Sequence, residues 1–168
     1  MSLTTYSADS QQLRETFGHF PSGIAALAAE VDGERQILIA SSFTVGVSME
    51  PPLVMFAVQK SSSTWPVLSR ANHIGISILG GDHAGLCRQL ASKDKANRFV
   101  GVQTETTDGG AVLISGSSIW LECSIYSQHE AGDHDIIIFE VHALYTDKAT
   151  EPLVFHGSRF RRLVADAA

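Results

Sequence analysis

The sequence predicts a mainly β protein: a closed, mostly antiparallel barrel with two or three short helices packed outside it. Two observations carry this. At least six β-type apolar runs are separated by turn signals, and they do not alternate regularly with helical segments, which disfavours a doubly wound parallel sheet. Composition is the third observation. Of 168 residues, 44% are hydrophobic and 18% charged, which suits one domain, residues 1–168, with a core of its own.

The elements follow in chain order. Residues 1–10 are polar and read as a flexible N-terminal tail without the basic start and apolar run of a signal peptide. Leu13, Phe17 and Phe20 stand at helical spacing, and Pro21-Ser22-Gly23 stops that helix. Residues 24–31 and 36–43 are β-type runs around Asp32-Gly33-Glu34, a hairpin signal. Residues 53–59 follow Pro51-Pro52, which hold the chain extended as it enters the sheet. Residues 61–70 read as a short helix, with hydroxyls crowding its start and Pro66 in its first turn. Residues 73–79 alternate as a strand, and residues 82–91 read as a second helix capped by Asp82. Asp108-Gly109-Gly110 marks a turn. Residues 119–129 and 135–145 are long strands around Ala131-Gly132-Asp133-His134, and residues 153–156 and 159–164 are short closing strands.

The charge balance narrows the function. A net charge of -6 without a Lys/Arg run excludes a generic nucleic-acid binder. Arg159, Arg161 and Arg162 form the densest basic cluster, either a solvated terminal strand or a phosphate contact. No window approaches the roughly 20 apolar residues of a membrane span. Cys87 and Cys123 lack metal-type spacing and read as reduced core residues of a cytoplasmic protein. His73, His83 and His129 show no metal-ligand spacing either, so no metal is expected. The low charged fraction suggests that a second subunit covers part of the surface.

Four constellations carry potential chemistry. Ala40-Ser41-Ser42-Phe43-Thr44 places hydroxyls at a strand end, suited to phosphate, to the polar edge of a heterocycle, or simply to solvent. Lys60-Ser61-Ser62-Ser63-Thr64 puts a cation and four hydroxyls before Trp65-Pro66. Capping needs only one of these hydroxyls, and the surplus suits an anion at the helix start. Ser92-Lys93 and Arg98-Phe99 follow the second helix, where the cations either complement its C-terminus or reach a phosphate. Gly132-Asp133-His134 presents one imidazole at a turn.

In this order the segments resemble the flavin reductase-like family, the small reductases that supply reduced flavin to two-component monooxygenases. The matching segments are Phe20-Pro21-Ser22-Gly23-Ile24, Ala40-Ser41-Ser42-Phe43, Met49-Glu50-Pro51-Pro52-Leu53-Val54 and Ser61-Ser62-Ser63-Thr64-Trp65. Beyond them come Ile76-Ser77-Ile78-Leu79, Arg98-Phe99, Trp120-Leu121-Glu122-Cys123, Gly132-Asp133-His134, Pro152-Leu153-Val154-Phe155-His156 and Arg159-Phe160. The resemblance spans residues 13–163.

It implies an FMN-binding split barrel, a homodimer with flavin near the subunit interface, NADH or NADPH as hydride donor and FMN or FAD as acceptor. A flavin-dependent monooxygenase is the implied partner. By the same resemblance Ala40, Ser41, Ser42 and Phe43 lie along the isoalloxazine. Ser61, Ser62, Ser63, Thr64, Ser92, Lys93 and Arg98 hold the phosphate, with Lys60 and Phe99 beside them. His134 stands at the nicotinamide as the catalytic residue, and His156 and Arg159 contact the pyridine nucleotide. The family often carries Gly and Thr just before the Ala-Ser-Ser segment, where this chain has Ile37-Leu38-Ile39. That departure leaves a non-catalytic flavin-binding protein on the same fold as the other reading.

Overall fold

Asp9 begins the ordered architecture. Its carboxylate accepts from the backbone N–H groups of Gln11 and Gln12 at 2.9 and 3.2 Å, capping α1 (Ser10–Gly18). The computed structural model describes residues 2–3 and 5–163. The helix thus starts at the last residue assigned to the tail. Its apolar side is not covered: Phe17 is 66% exposed, and Phe20, which the sequence places at helical spacing with it, lies two residues past the helix end and is 74% exposed.

The rest is β structure with short helical insertions. β1 (Ser22–Gly23) leads into β2 (Ala25–Val31), which turns through Asp32-Gly33 into β3 (Glu34–Ala40). Asp32 and Gly33 take φ of 54° and 78°, the pair of positive values of a type I′ hairpin turn. β3 ends three residues before the sequence pattern does, and 44–49, unassigned in the sequence, form β4 (Thr44–Met49). β5 (Pro52–Gln59) precedes α2 (Trp65–Leu68) and β6 (Ile74–Ile78). After α3 (Ala84–Leu90) come β7 (Thr104–Thr106) and β8 (Val112–Ile114), two short strands the sequence did not announce. The long hairpin β9 (Ile119–Ala131) and β10 (His134–Thr146) follows, then β11 (Val154–His156) and β12 (Arg159–Arg161). Val164, the predicted end of the last strand, lies outside the described residues.

Both internal helices differ from expectation. α2 is a single turn, because Ser62 Oγ takes the N–H groups of Thr64 and Trp65 at 3.4 and 3.1 Å and holds the preceding residues in a turn. Asp82 does not cap α3. It lies in a 3-10 turn (Gly81–His83), and its carboxylate accepts from Arg162.

The seven-stranded sheet has the order β3-β2-β6-β9-β10-β5-β4, antiparallel throughout. It is not the closed barrel that the sequence predicts. β3 and β4 are free edges, and the sheet is open. The cause is local. β4 covers β5 only as far as Met55, and β3 ends at Ala40 before a backbone ladder with the rest of β5 can form. One side chain spans this seam: Ser42 Oγ donates to Ala57 O at 2.8 Å and accepts from Ala57 N–H at 3.2 Å.

Each face of the sheet carries a core. On one face Leu27, Val54, Leu68, Ile74 and Ile76 surround an aromatic group. In that group Phe56 stacks on Phe139 at 5.7 Å, and Trp65 meets the two edge-on at 5.3 and 6.3 Å. On the other face Ala26, Ala28, Ile37, Leu90, Val112 and Ile114 pack under α3 and β8. The small residues of β2 and β6 let β8 approach. A Cβ on Gly75 would lie 2.2 Å from Val112 O. Gly75→Ala is therefore expected to cost about 1–3 kcal/mol through overpacking, read as a lower urea midpoint with unchanged m. Among the described residues no helix is long and apolar enough to cross a membrane.

Candidate functional site

The open seam is also a groove. Leu38 to Ser42 form one wall, Ala57 to Gln59 the other, and Ser62 and His134 complete a space of about 370 Å³. It continues into a second section of about 380 Å³ that shares Leu38, Ile39, Gln59 and Ser62 and adds Thr64, Lys93 and Arg98. The groove exists because β3 and β5 are held at one point by a hydroxyl instead of along a ladder.

Arg98 organises the second section. Its Nε donates to Ser92 O at 2.7 Å, and one terminal nitrogen donates to Ile37 O at 2.8 Å and Thr64 Oγ1 at 3.1 Å. Three separate segments thus converge on one cation. Burial pulls the guanidinium below its ordinary pKa, yet an arginine keeps its charge at neutral pH. Its second terminal nitrogen remains to meet an anion. Lys95 ties in the same loop by donating to Ser63 O at 2.9 Å.

At the other end His134 opens β10 directly across from Gln59. Its Nδ1 lies 2.7 Å from Asp133 Oδ1. The hydrogen bond and the imidazole's charge hold the Asp133 carboxyl below the usual carboxylate range. With Nδ1 engaged, Nε2 is the ring nitrogen left to a bound group.

The fold gathers some of the expected residues and separates others. Ala40, Ser41, Ser42, Ser62, Ser63, Thr64, Lys93, Arg98 and His134 line the two sections. The Ser42 hydroxyl both donates to and accepts from Ala57, whereas Ser62 Oγ accepts from the turn's N–H groups and keeps its O–H as a donor. Ser92 serves through its carbonyl, on Arg98. Phe43 packs against the core instead of lining the groove. Lys60 turns to Glu130 at 3.5 Å, and Ser61 is exposed. Phe99 packs against the opposite core beneath Arg35. His156 and Arg159 lie on the small β1-β11-β12 sheet, away from both sections, and His156 meets His19 edge-on at 5.9 Å.

Gln59 was not singled out in the sequence, although it lines both sections. Its only signal is a polar residue ending an apolar strand, and its position depends on where the sheet opens. The one-turn α2 also weakens the helix-start argument for anion binding, since a single turn has little macrodipole. The groups that could meet an anion are then Arg98, Lys93 and the loop hydroxyls. Cys87 and Cys123 are free and buried, and burial pushes the Cys123 thiol up to about 12, so neither offers a nucleophile. No group of three or more His, Cys, Asp or Glu among the described residues could hold a metal ion.

The sheet is thus opened along one seam into a groove walled by aliphatic side chains and ending in a cation, dimensions and chemistry that suit a planar, anionic ligand. Residues 17–164 match the flavin reductase like domain. The chain belongs to the flavin reductase-like family. It is 36% identical over 149 residues to a flavin reductase of Pseudomonas putida, covering 88% of this chain and 86% of that one. Against the reductase subunit of a flavin-dependent monooxygenase from Rhodococcus jostii it is 27% identical, covering 94% and 80%. The NADH:FAD oxidoreductase of Streptomyces globisporus, solved with NAD and FAD fragments, superposes with a TM-score of 0.91 at 33% identity, covering 99% of this chain and 100% of that one.

Proposed function

We propose that the groove between β3 and β5 is the flavin site of this chain. The chain is an NAD(P)H-dependent flavin reductase, an oxidoreductase that passes a hydride from reduced nicotinamide to FMN or FAD. The observation carrying the site is the convergence of the β3 end, the Ser62–Thr64 loop and the residue 92–98 loop on Arg98.

When bound, flavin supplies the hydride-accepting ring system and the nicotinamide the donor. The protein's work is positioning and exclusion of water. The edge of β3 at Leu38, Ile39 and Ala40 gives an apolar wall beside the ring. Ser41 and backbone groups at the seam meet its polar edge. Ser63, Lys93 and Arg98 hold the phosphate. His134 stands at the open end of the groove, where a nicotinamide would approach, and Asp133 fixes its orientation. The alternating side chains of Ile37, Leu38 and Ile39 divide between the two cores, so the bulk at this departure from the family pattern is largely absorbed by packing.

Val45, Met49, Leu144 and Tyr145, on β4 and β10, are 52–84% exposed, an apolar surface fitted to a second copy of the chain. A flavin-dependent monooxygenase is the consumer of the reduced flavin, as for the Rhodococcus reductase subunit. Free buried cysteines fit a reducing cytoplasm.

The deciding experiment mixes apo protein with FMN or FAD and NADH under nitrogen. Quenched flavin fluorescence and bleaching of the flavin band are expected. If neither flavin is quenched and neither stimulates NADH oxidation, the reading fails. His134→Ala is expected to raise the KM for NADH about tenfold, ~1.4 kcal/mol, with flavin Kd within about twofold. A loss of flavin affinity with an unchanged nicotinamide KM would remove His134 from the nicotinamide side.

A further inference from the structure

The groove does not end at Arg98. A third section of about 480 Å³ follows, sharing Ile37 and Arg98 with the second and lined by Glu34, Arg35, Gln36, Lys95 and Phe99. The three sections run along β3 from Ser42 back to Glu34. At about 3.3 Å per residue, the five steps from Ala40 to Arg35 span about 17 Å. A ring system with a single phosphate uses the first two sections and leaves the third empty.

The chemistry of the third section is that of a second nucleotide. Lys95 and Arg98 flank its junction with the phosphate section, and Lys95 already reaches across to Ser63 O. Two phosphates in series would each find a cation there, Lys93 or Arg98 for the first and Lys95 or Arg98 for the second. Farther along, the Arg35 guanidinium lies 5.9 Å from the centre of the Phe99 ring, steadied by a 3.1 Å hydrogen bond to Thr104 Oγ1. A planar guanidinium over an aromatic ring is a platform on which a purine can stack. Glu34 is the one carboxylate in this section and suits sugar hydroxyls, not phosphate.

We propose that this third section is an adenylate subsite, and that it makes FAD, not FMN, the preferred flavin of this chain. The proposal rests on the flavin reading of the first two sections. The second phosphate lies between Lys95 and Arg98, and the adenine stacks at Arg35 and Phe99. NADH carries an adenylate of its own, so the test separates the two sources.

FAD and FMN affinities are measured by fluorescence quenching. Steady-state constants are measured for each flavin with NADH, in wild type, Arg35→Ala and Arg35→Gln. The glutamine variant keeps an amide donor for Thr104 should the alanine variant fold poorly. Wild type is expected to bind FAD at least about tenfold more tightly than FMN. Either variant should lower the FAD-to-FMN ratio of affinities and of kcat/KM by about tenfold. Equal wild-type affinity for the two flavins, or an Arg35 effect of the same size on both, overturns the subsite. So does a rise in NADH KM with FMN as acceptor, which would assign the section to the nicotinamide's adenylate. Failure of the flavin reading looks different, because then neither flavin is bound at all.

Discussion

Arg98→Met is expected to weaken FMN binding by about a hundredfold, ~2.7 kcal/mol, while riboflavin, which lacks the phosphate, loses far less. Arg98 joins β3, the Ser62–Thr64 loop and the residue 92–98 loop through hydrogen bonds. Methionine fills similar volume but leaves the Ser92 and Ile37 carbonyls and the Thr64 hydroxyl without that donor. Hydrogen bonds to charged groups are worth about 1.5–3 kcal/mol each, so the guanidinium chloride midpoint should fall as well. The FMN-to-riboflavin contrast separates the two effects. General loosening weakens both ligands equally, whereas loss of an anion site weakens FMN selectively. Arg98→Lys retains charge without the planar fork, and should recover part of the FMN affinity but little of the stability. Equal losses for FMN and riboflavin in Arg98→Met would place the phosphate elsewhere.

The largest stability effect is expected at Phe56→Ala, about 3–5 kcal/mol. Phe56 is 1% exposed and lies between Trp65 and Phe139 in the aromatic group. Truncation removes both ring contacts and leaves a void beside the first residue of α2. Denaturant unfolding followed by far-UV circular dichroism measures the loss, and the summed native emission of Trp65 and Trp120 should shift, since Trp65 is an edge neighbour of the missing ring. The groove feels the change through the next residue, Ala57, which holds Ser42. A loss under about 1 kcal/mol would mean that the core relaxes around the void.

The sequence was informative where local physics decides the outcome. Asp32-Gly33 and Gly132-Asp133 carry the φ requirements of tight turns, and the alternating runs beside them became the hairpins β2–β3 and β9–β10. It was uninformative where a distant partner decides. Residues 61–70 carry capping hydroxyls and a first-turn proline, but Ser62 satisfies a turn and only Trp65–Leu68 is helical. β4 is exposed along most of its length, so it lacks the burial alternation that marks a strand. Closure could not be read either, because it depends on how far β4 extends along β5.

The site divides in the same way. Its hydroxyls and cations were visible as a surplus over what capping requires. Which of them remain available was not, since the Ser42 hydroxyl both donates to and accepts from Ala57, Ser62 Oγ accepts from backbone N–H groups and Lys60 faces Glu130. Phe43 is adjacent to the groove in sequence, yet its ring packs against the core, a direction the sequence does not show.

The serine stitch at the seam has a kinetic consequence. A flavin that serves as substrate must enter and leave in every catalytic cycle. Prying apart two strands joined by a full ladder would break many hydrogen bonds together. Among the described residues, the side-chain bonds that fasten β3's end to β5 at the proposed site are those of the Ser42 hydroxyl, one donated and one accepted. Water can replace both at a net cost of about 1 kcal/mol apiece. On the proposed site, the seam would then be a latch with a low threshold, opening without loosening the hydrophobic interior that Phe56 and Phe139 hold together.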